Sequence, residues 1–71
     1  MPVPTHRAAF GARVRELRTG HGWSQEDFAH RAELDRTYVS GIERGTRNPT
    51  LDIIYKLART LDVPAADLLT E

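Results

Sequence analysis

Between Ser24 and Thr50 the chain gathers guanidinium, hydroxyl and phenol groups at helical spacing. Arg36, Thr37, Tyr38, Ser40, Arg44 and Arg47 are polar residues left outside the apolar face in the stretch LDRTYVSGIERGTRNPT, and such groups bind phosphate oxygens and base edges. Their apolar or small counterparts are Phe28, Ala29, Ala32, Leu34, Val39 and Ile42. Phe28, Ala29 and Ala32 recur at helical spacing, as do Val39 and Ile42. Ala29 supplies the small side chain needed where two helices cross steeply over a turn of about three or four residues. The pattern is a helix-turn-helix, and its chemistry points to DNA.

Five helices must position these groups. The first is predicted over about residues 5–19, with Phe10, Val14 and Leu17 on one face, Thr5 as N-cap, and Gly20 and Gly22 ending it. Trp23 then precedes the next cap, where it can staple the helix entrance. Ser24 caps a helix over 25–32, with Glu26 and Asp27 in its positive first turn. Asp35 caps the third, over 36–44, which Gly45 stops. Asn48-Pro49-Thr50 turns the chain into a fourth helix, 51–61, whose apolar face is Leu51, Ile54, Leu57, Ala58 and Leu61. Pro64 opens a short fifth helix over 64–69. No strand pattern, repeat or linker interrupts this series, so the expected fold is all-α: a single domain over residues 1–71 with its helix-turn-helix core at 24–45.

Seventy-one residues lie near the lower limit for a core that folds without a covalent or metal staple. Cysteine is absent, which excludes disulfides and thiolate metal sites. His6, His21 and His30 have no metal-ligand spacing and read as solvated polar residues. No metal, cofactor or small-molecule ligand is expected, since there is no room for a sensing domain. No apolar run approaches the roughly 20 residues of a membrane span, and MPVPTHR lacks a signal core, so the expected location is cytoplasmic. Catalysis has no support: no Ser–His–Asp arrangement, glycine-rich phosphate loop or paired carboxylate emerges, and Ser40 and His30 fall on different helices. The net charge is zero, an unusual balance for a protein that must neutralise phosphates. Yet residues 60–71 hold Asp62, Asp67 and Glu71 with no cation, so the other residues sum to plus three.

The segments RVRELR at 13–18, WSQEDFA at 23–29, LDRTYVSGIERGTRNPTL at 34–51 and KLARTLDV at 56–63 together resemble the Cro and lambda-type repressor family, also called the xenobiotic response element family. The likeness covers about residues 7 to 69. LDRTYVSGIERGTRNP is similar to restriction–modification controller proteins, which are small stand-alone dimeric regulators. The resemblance implies a lambda-repressor-like fold and a transcriptional regulator whose third helix lies in the major groove of double-stranded DNA, the second crossing the backbone. It implies base reading by Arg36, Thr37 and Ser40, with Arg36 bidentate to a guanine. Gln25 would bond a phosphate at a helix N-terminus. Tyr38, Arg44, Thr46, Arg47 and Asn48 would follow the flanking backbone. In controller-like proteins an arginine in the loop after the third helix also reaches bases, and Arg47 matches that place. Arg18 and Glu43 match a family ion pair that bridges the first and third helices.

Two positions depart from the family pattern. Glu33 stands in the turn where relatives often carry glycine, tolerated at roughly 1 kcal/mol. Gly41 stands where many relatives have a longer base-reading side chain, which removes a reader from the groove. Arg13, Arg15 and Arg31 read as helix-surface charges. The competing reading is a protein-interaction module, such as a small antitoxin or adaptor, in which Arg36, Thr37 and Arg47 need not share one face.

A lone module reads few base pairs, so a homodimer on a two-fold symmetric site is expected. Its interface would use apolar side chains not needed in the core: Ile53, Leu68 and Leu69, with Tyr55 and Val63 beside them. If each subunit neutralises three or four phosphates, log affinity should fall with log salt at a slope of roughly −5 to −7 on duplex DNA. Titrations across a salt series measure this slope, and a value near zero would favour the adaptor.

Overall fold

The computed structural model describes residues 2–69. Among them are four α-helices: α1 (Thr5–Gly20), α2 (Gln25–Ala32), α3 (Arg36–Arg44) and α4 (Leu51–Leu61), followed by one 3-10 turn, Ala65–Leu68. The all-α expectation holds, but the count of five helices does not. After Pro64 the backbone bonds i to i+3, from Asp67 N–H to the Pro64 carbonyl and from Leu69 N–H to that of Ala66. Arg13 Nε donates to the Asp67 carbonyl at 2.9 Å, so the turn's end is tied to α1 instead of being extended as helix.

Local chemistry sets the other boundaries. α1 starts one residue earlier than its expected cap allows: Pro4 occupies the N-cap, its carbonyl accepting from Arg7 and Ala8, and Thr5 is already helical. Ser24 forms a full capping box, its hydroxyl accepting from Asp27 N–H and its own N–H donating to the Asp27 carboxylate. Thr50 caps α4 by accepting from Ile53 N–H. α2, α3 and α4 each end on a left-handed residue, Glu33, Gly45 and Asp62. The following N–H then reaches back to a carbonyl: Leu34 to Ala29, Thr46 to Gly41 and Val63 to Ala58. The left-handed conformation costs a non-glycine residue roughly 1 kcal/mol, offset here by those hydrogen bonds. At Glu33 and Asp62, packing of the next residue, Leu34 or Val63, on the core adds to that offset.

The core draws on every element. Phe10 and Val14 from α1, Phe28 and Ala29 from α2, Val39 and Ile42 from α3, Leu57, Ala58 and Leu61 from α4, and Leu68 from the final turn form one buried cluster. Trp23 acts as the expected staple, its ring stacked on Phe28 in the first turn of α2 and on His21. α1 approaches α3 closely at Gly11, where a Cβ would stand 2.6 Å from the Glu43 carbonyl oxygen and nearer still to that of Ile42. Among the described residues no helix is long and apolar enough to cross a membrane.

Two expectations about apolar surface change. The helical period places Leu51 on the inner face of α4, yet it is 64% exposed because it opens the first turn of the helix, beyond the core's edge. Leu68, expected at a dimer interface, is fully buried: the turn drops it into the core, where it cannot meet a partner. Ile53 and Val63 are half-buried against the core. Leu69 and Tyr55 remain on the surface, 59% and 51% exposed.

One buried polar link crosses this apolar packing. Arg18 forks onto Glu43, Nε to Oε2 at 2.7 Å and a terminal nitrogen to Oε1 at 3.0 Å. Its other terminal nitrogen donates to the Trp23 carbonyl at 2.8 Å. Gln25 Nε2 donates to the same Glu43 Oε1 at 3.0 Å. The two charged side chains retain 10% and 3% of their surface, and no buried side-chain nitrogen or oxygen among the described residues lacks a partner. Removing one partner strands a buried charge, whereas removing both leaves none. Arg18→Met should therefore lose about 3–5 kcal/mol in urea unfolding, and Arg18→Met combined with Glu43→Leu should recover most of it. A loss below about 1 kcal/mol for the single substitution would mean the pair behaves as a solvated one.

Candidate nucleic-acid interface

α3 has two distinct sides. Val39 and Ile42 point into the core, and Glu43 is fastened to Arg18, so neither the rotation nor the height of the helix is free. On the other side Arg36, Thr37 and Arg44 are exposed, with Ser40 half-exposed between them. Residues 36, 40 and 44 lie one turn apart on a single line, with 37 and 41 on the adjoining line. Asp35 fixes the first turn: its Oδ1 accepts from Thr37 N–H at 2.7 Å. Arg36 and Thr37 are therefore presented from a backbone with little freedom to fray.

The loop after α3 folds back over the helix. Thr46 donates both its N–H and its hydroxyl to the Gly41 carbonyl, at 2.9 and 3.1 Å. Arg47 then lies with its guanidinium 5.5 Å from the centre of the Tyr38 ring. Arg44 donates to the Ser40 hydroxyl oxygen, which leaves the hydroxyl proton free to donate outward. The result is an exposed strip carrying Arg36, Thr37, Ser40, Arg44, Thr46 and Arg47, with hydrogen-bond donors and the two threonine methyls on it.

The helix-turn-helix family profile matches residues 14–68. The chain belongs to this family of DNA-binding transcriptional regulators. The control protein C.BamHI of Bacillus amyloliquefaciens is 48% identical over 64 residues, covering 89% of this chain and 79% of that one. The crystal structure of the restriction–modification controller protein C.AhdI from Aeromonas hydrophila superposes with a TM-score of 0.83 at 52% identity, over 86% of this chain and 92% of that one. The biofilm regulator SinR, crystallised in complex with DNA, is similar with a TM-score of 0.82 at 32% identity, over 86% and 98% of the two chains.

Within this helix-turn-helix protein the expected site residues fall into three groups. Arg36, Thr37, Tyr38, Ser40, Arg44, Thr46 and Arg47 come together on or over α3. Gln25 stands at the start of α2 with its amide nitrogen turned toward Glu43, so it is part of the scaffold that holds α3. Asn48 is exposed in the loop and also lines a small apolar hollow with His6, Pro49, Ile54 and Leu69. Of the three arginines read as surface charges, Arg13 clamps the final turn and Arg31 lies 4.5 Å over the Trp23 ring. His21, read as simply solvated, holds the Leu61 carbonyl through Nε2 at 2.9 Å. Spacing alone carries no signal for these three, because each meets a partner distant in sequence or set by a turn.

The caps also give the interface an acid limit. The Thr37 backbone N–H holds the Asp35 carboxyl below its ordinary pKa, and the Ser24 backbone N–H does the same for Asp27. A carboxyl whose folded pKa is lowered stabilises the fold above its unfolded pKa and loses that contribution as pH falls through the folded value. Stability should therefore drop on acidification below about pH 4. Replacing both with asparagine should flatten that limb in urea titrations at successive pH values. An unchanged limb in the double variant would assign acid sensitivity elsewhere.

Proposed function

We propose that the protein regulates transcription as a homodimer that binds a two-fold symmetric operator, each subunit laying α3 in the major groove. The observation that carries this reading is the division of α3. One face is locked by Val39, Ile42 and the Glu43–Arg18 pair, and the opposite face offers Arg36, Thr37 and Ser40 from a capped first turn. An adaptor would not need those groups on one rigid, exposed strip. The reading is of a DNA-binding protein, not an enzyme, acting in the cytoplasm where it meets duplex DNA.

In this reading Arg36 donates two parallel hydrogen bonds to O6 and N7 of a guanine, and Thr37 offers its methyl to thymine and its hydroxyl to a base edge. Ser40 donates the proton that Arg44 leaves free. Arg44, Thr46 and Tyr38 meet the flanking phosphates, fixing register, and Arg47 reaches into the groove from the loop after α3. Gln25 keeps one amide hydrogen and its carbonyl beyond the Glu43 bond, and at the positive end of α2 that hydrogen suits a phosphate oxygen. Asn48 joins them from the exposed loop after α3. The dimer contact falls to Tyr55 and Leu69 with the edge of Ile53. Leu51, one turn from Tyr55 on α4, extends the same apolar surface.

Selection of bound duplexes from a random library at a stated salt concentration tests the reading. The expected motif is an inverted repeat whose half-sites lie about one helical turn apart, roughly 34 Å. Arg36→Ala should weaken binding by about 1–3 kcal/mol per contact and relax one base position in each half-site. A motif without two-fold symmetry would remove the dimer, and an unchanged motif in Arg36→Ala would remove that residue as a reader.

A further inference from the structure

Gly41 sits inside α3, where glycine costs more backbone entropy than alanine and where no unusual φ calls for it. Its reason is space. A Cβ at this position would stand 2.7 Å from Arg47 Cγ, 3.2 Å from Arg47 Nε and 3.3 Å from Thr46 Oγ1. At Gly11 the obstructing atoms are backbone carbonyls of a neighbouring helix; at Gly41 the closest are those of one long, flexible side chain. Gly41 is buried although it lies on the outward side of α3, because Arg47 and Thr46 cover it.

The cover is organised. Thr46 is tied to the Gly41 carbonyl by two hydrogen bonds, which brings residue 47 back over the helix. Tyr38, one turn earlier, supplies the ring beneath the guanidinium. Among the arginines of the described residues, Arg13, Arg18 and Arg44 spend donors on protein oxygens, whereas Arg47 is held by stacking. A stacked guanidinium keeps its five N–H groups for an external acceptor.

We infer that Gly41 is a specificity-determining position: the gap it leaves seats Arg47 across α3 on the Tyr38 ring, so that a loop arginine reads the groove where a side chain at 41 would otherwise project. The missing reader at 41 is thus replaced, not lost. Gly41 and Tyr38 are positioning residues, and Arg47 is the group that touches a base edge. This inference rests on the DNA-reading function proposed above, and its test separates the two.

In the free protein, NMR should find the Arg47 side-chain protons shifted upfield by the Tyr38 ring, and both Gly41→Ala and Tyr38→Leu should abolish that shift. The melting temperature of Gly41→Ala should change little, since alanine's preference for the helix offsets the shift its Cβ forces on Arg47. In library selection, Gly41→Ala should change base preference at the same positions as Arg47→Ala and weaken the wild-type site by about tenfold. Added to Arg47→Ala it should have no further effect, because it acts through that residue. A Gly41→Ala protein that keeps both the upfield shift and the wild-type motif overturns the inference and leaves the DNA reading intact. So does one whose effect persists in the Arg47→Ala background. A wild-type protein that selects no motif overturns the DNA reading, and the specificity role with it, even with Arg47 seated.

Discussion

The bidentate contact between Arg18 and Glu43 is the constraint on which the arrangement depends. Three segments converge there: α1 through the arginine, the turn and start of α2 through the Trp23 carbonyl and Gln25, and α3 through the carboxylate. Hydrophobic packing alone is non-directional and would tolerate small rotations of a helix as short as α3. A forked guanidinium–carboxylate contact has fixed distances and a fixed plane, so it sets the rotation of α3 about its own axis. Placing a buried charge pair in a domain of this size adds little net stability. Its effect is geometric, and the polar strip on the far side of α3 inherits that geometry.

The remaining features support the same helix from other directions. Asp35 satisfies the first turn, Gly45 and Thr46 close the last one, and Gly11 lets α1 approach close enough for Arg18 to reach. The final turn, clamped by Arg13 and plugged by Leu68, closes the core from beneath α1 and α4. The large apolar side chains left exposed are Val3, Leu51, Tyr55 and Leu69, the last three more than half exposed.

Much of this is legible in the sequence. Ser24, Asp35 and Thr50 announced helix starts through their own side chains, and Gly45 announced a stop, because capping is chemistry between near neighbours. The Arg18–Glu43 pair was legible only through family resemblance, since nothing in the spacing of residues 25 apart tells which charge meets which. What is not legible there comes from tertiary effects. Leu68 looked like a spare apolar residue until the turn carried it inward, and Leu51 fitted the helical period but lay past the edge of what it could pack against. Gly41 looked like a loss, because the residue that fills its space comes from beyond the end of the helix.

The two-sided construction of α3 also bears on how such regulators diversify. Substitutions at Arg36, Thr37, Ser40 or Arg47 alter exposed groups that contribute little to the core, whereas Val39, Ile42 and Glu43 hold the scaffold. Recognition can therefore drift while folding stays intact. Sister copies within one cell can acquire separate targets by single steps, each intermediate remaining a folded protein available to selection.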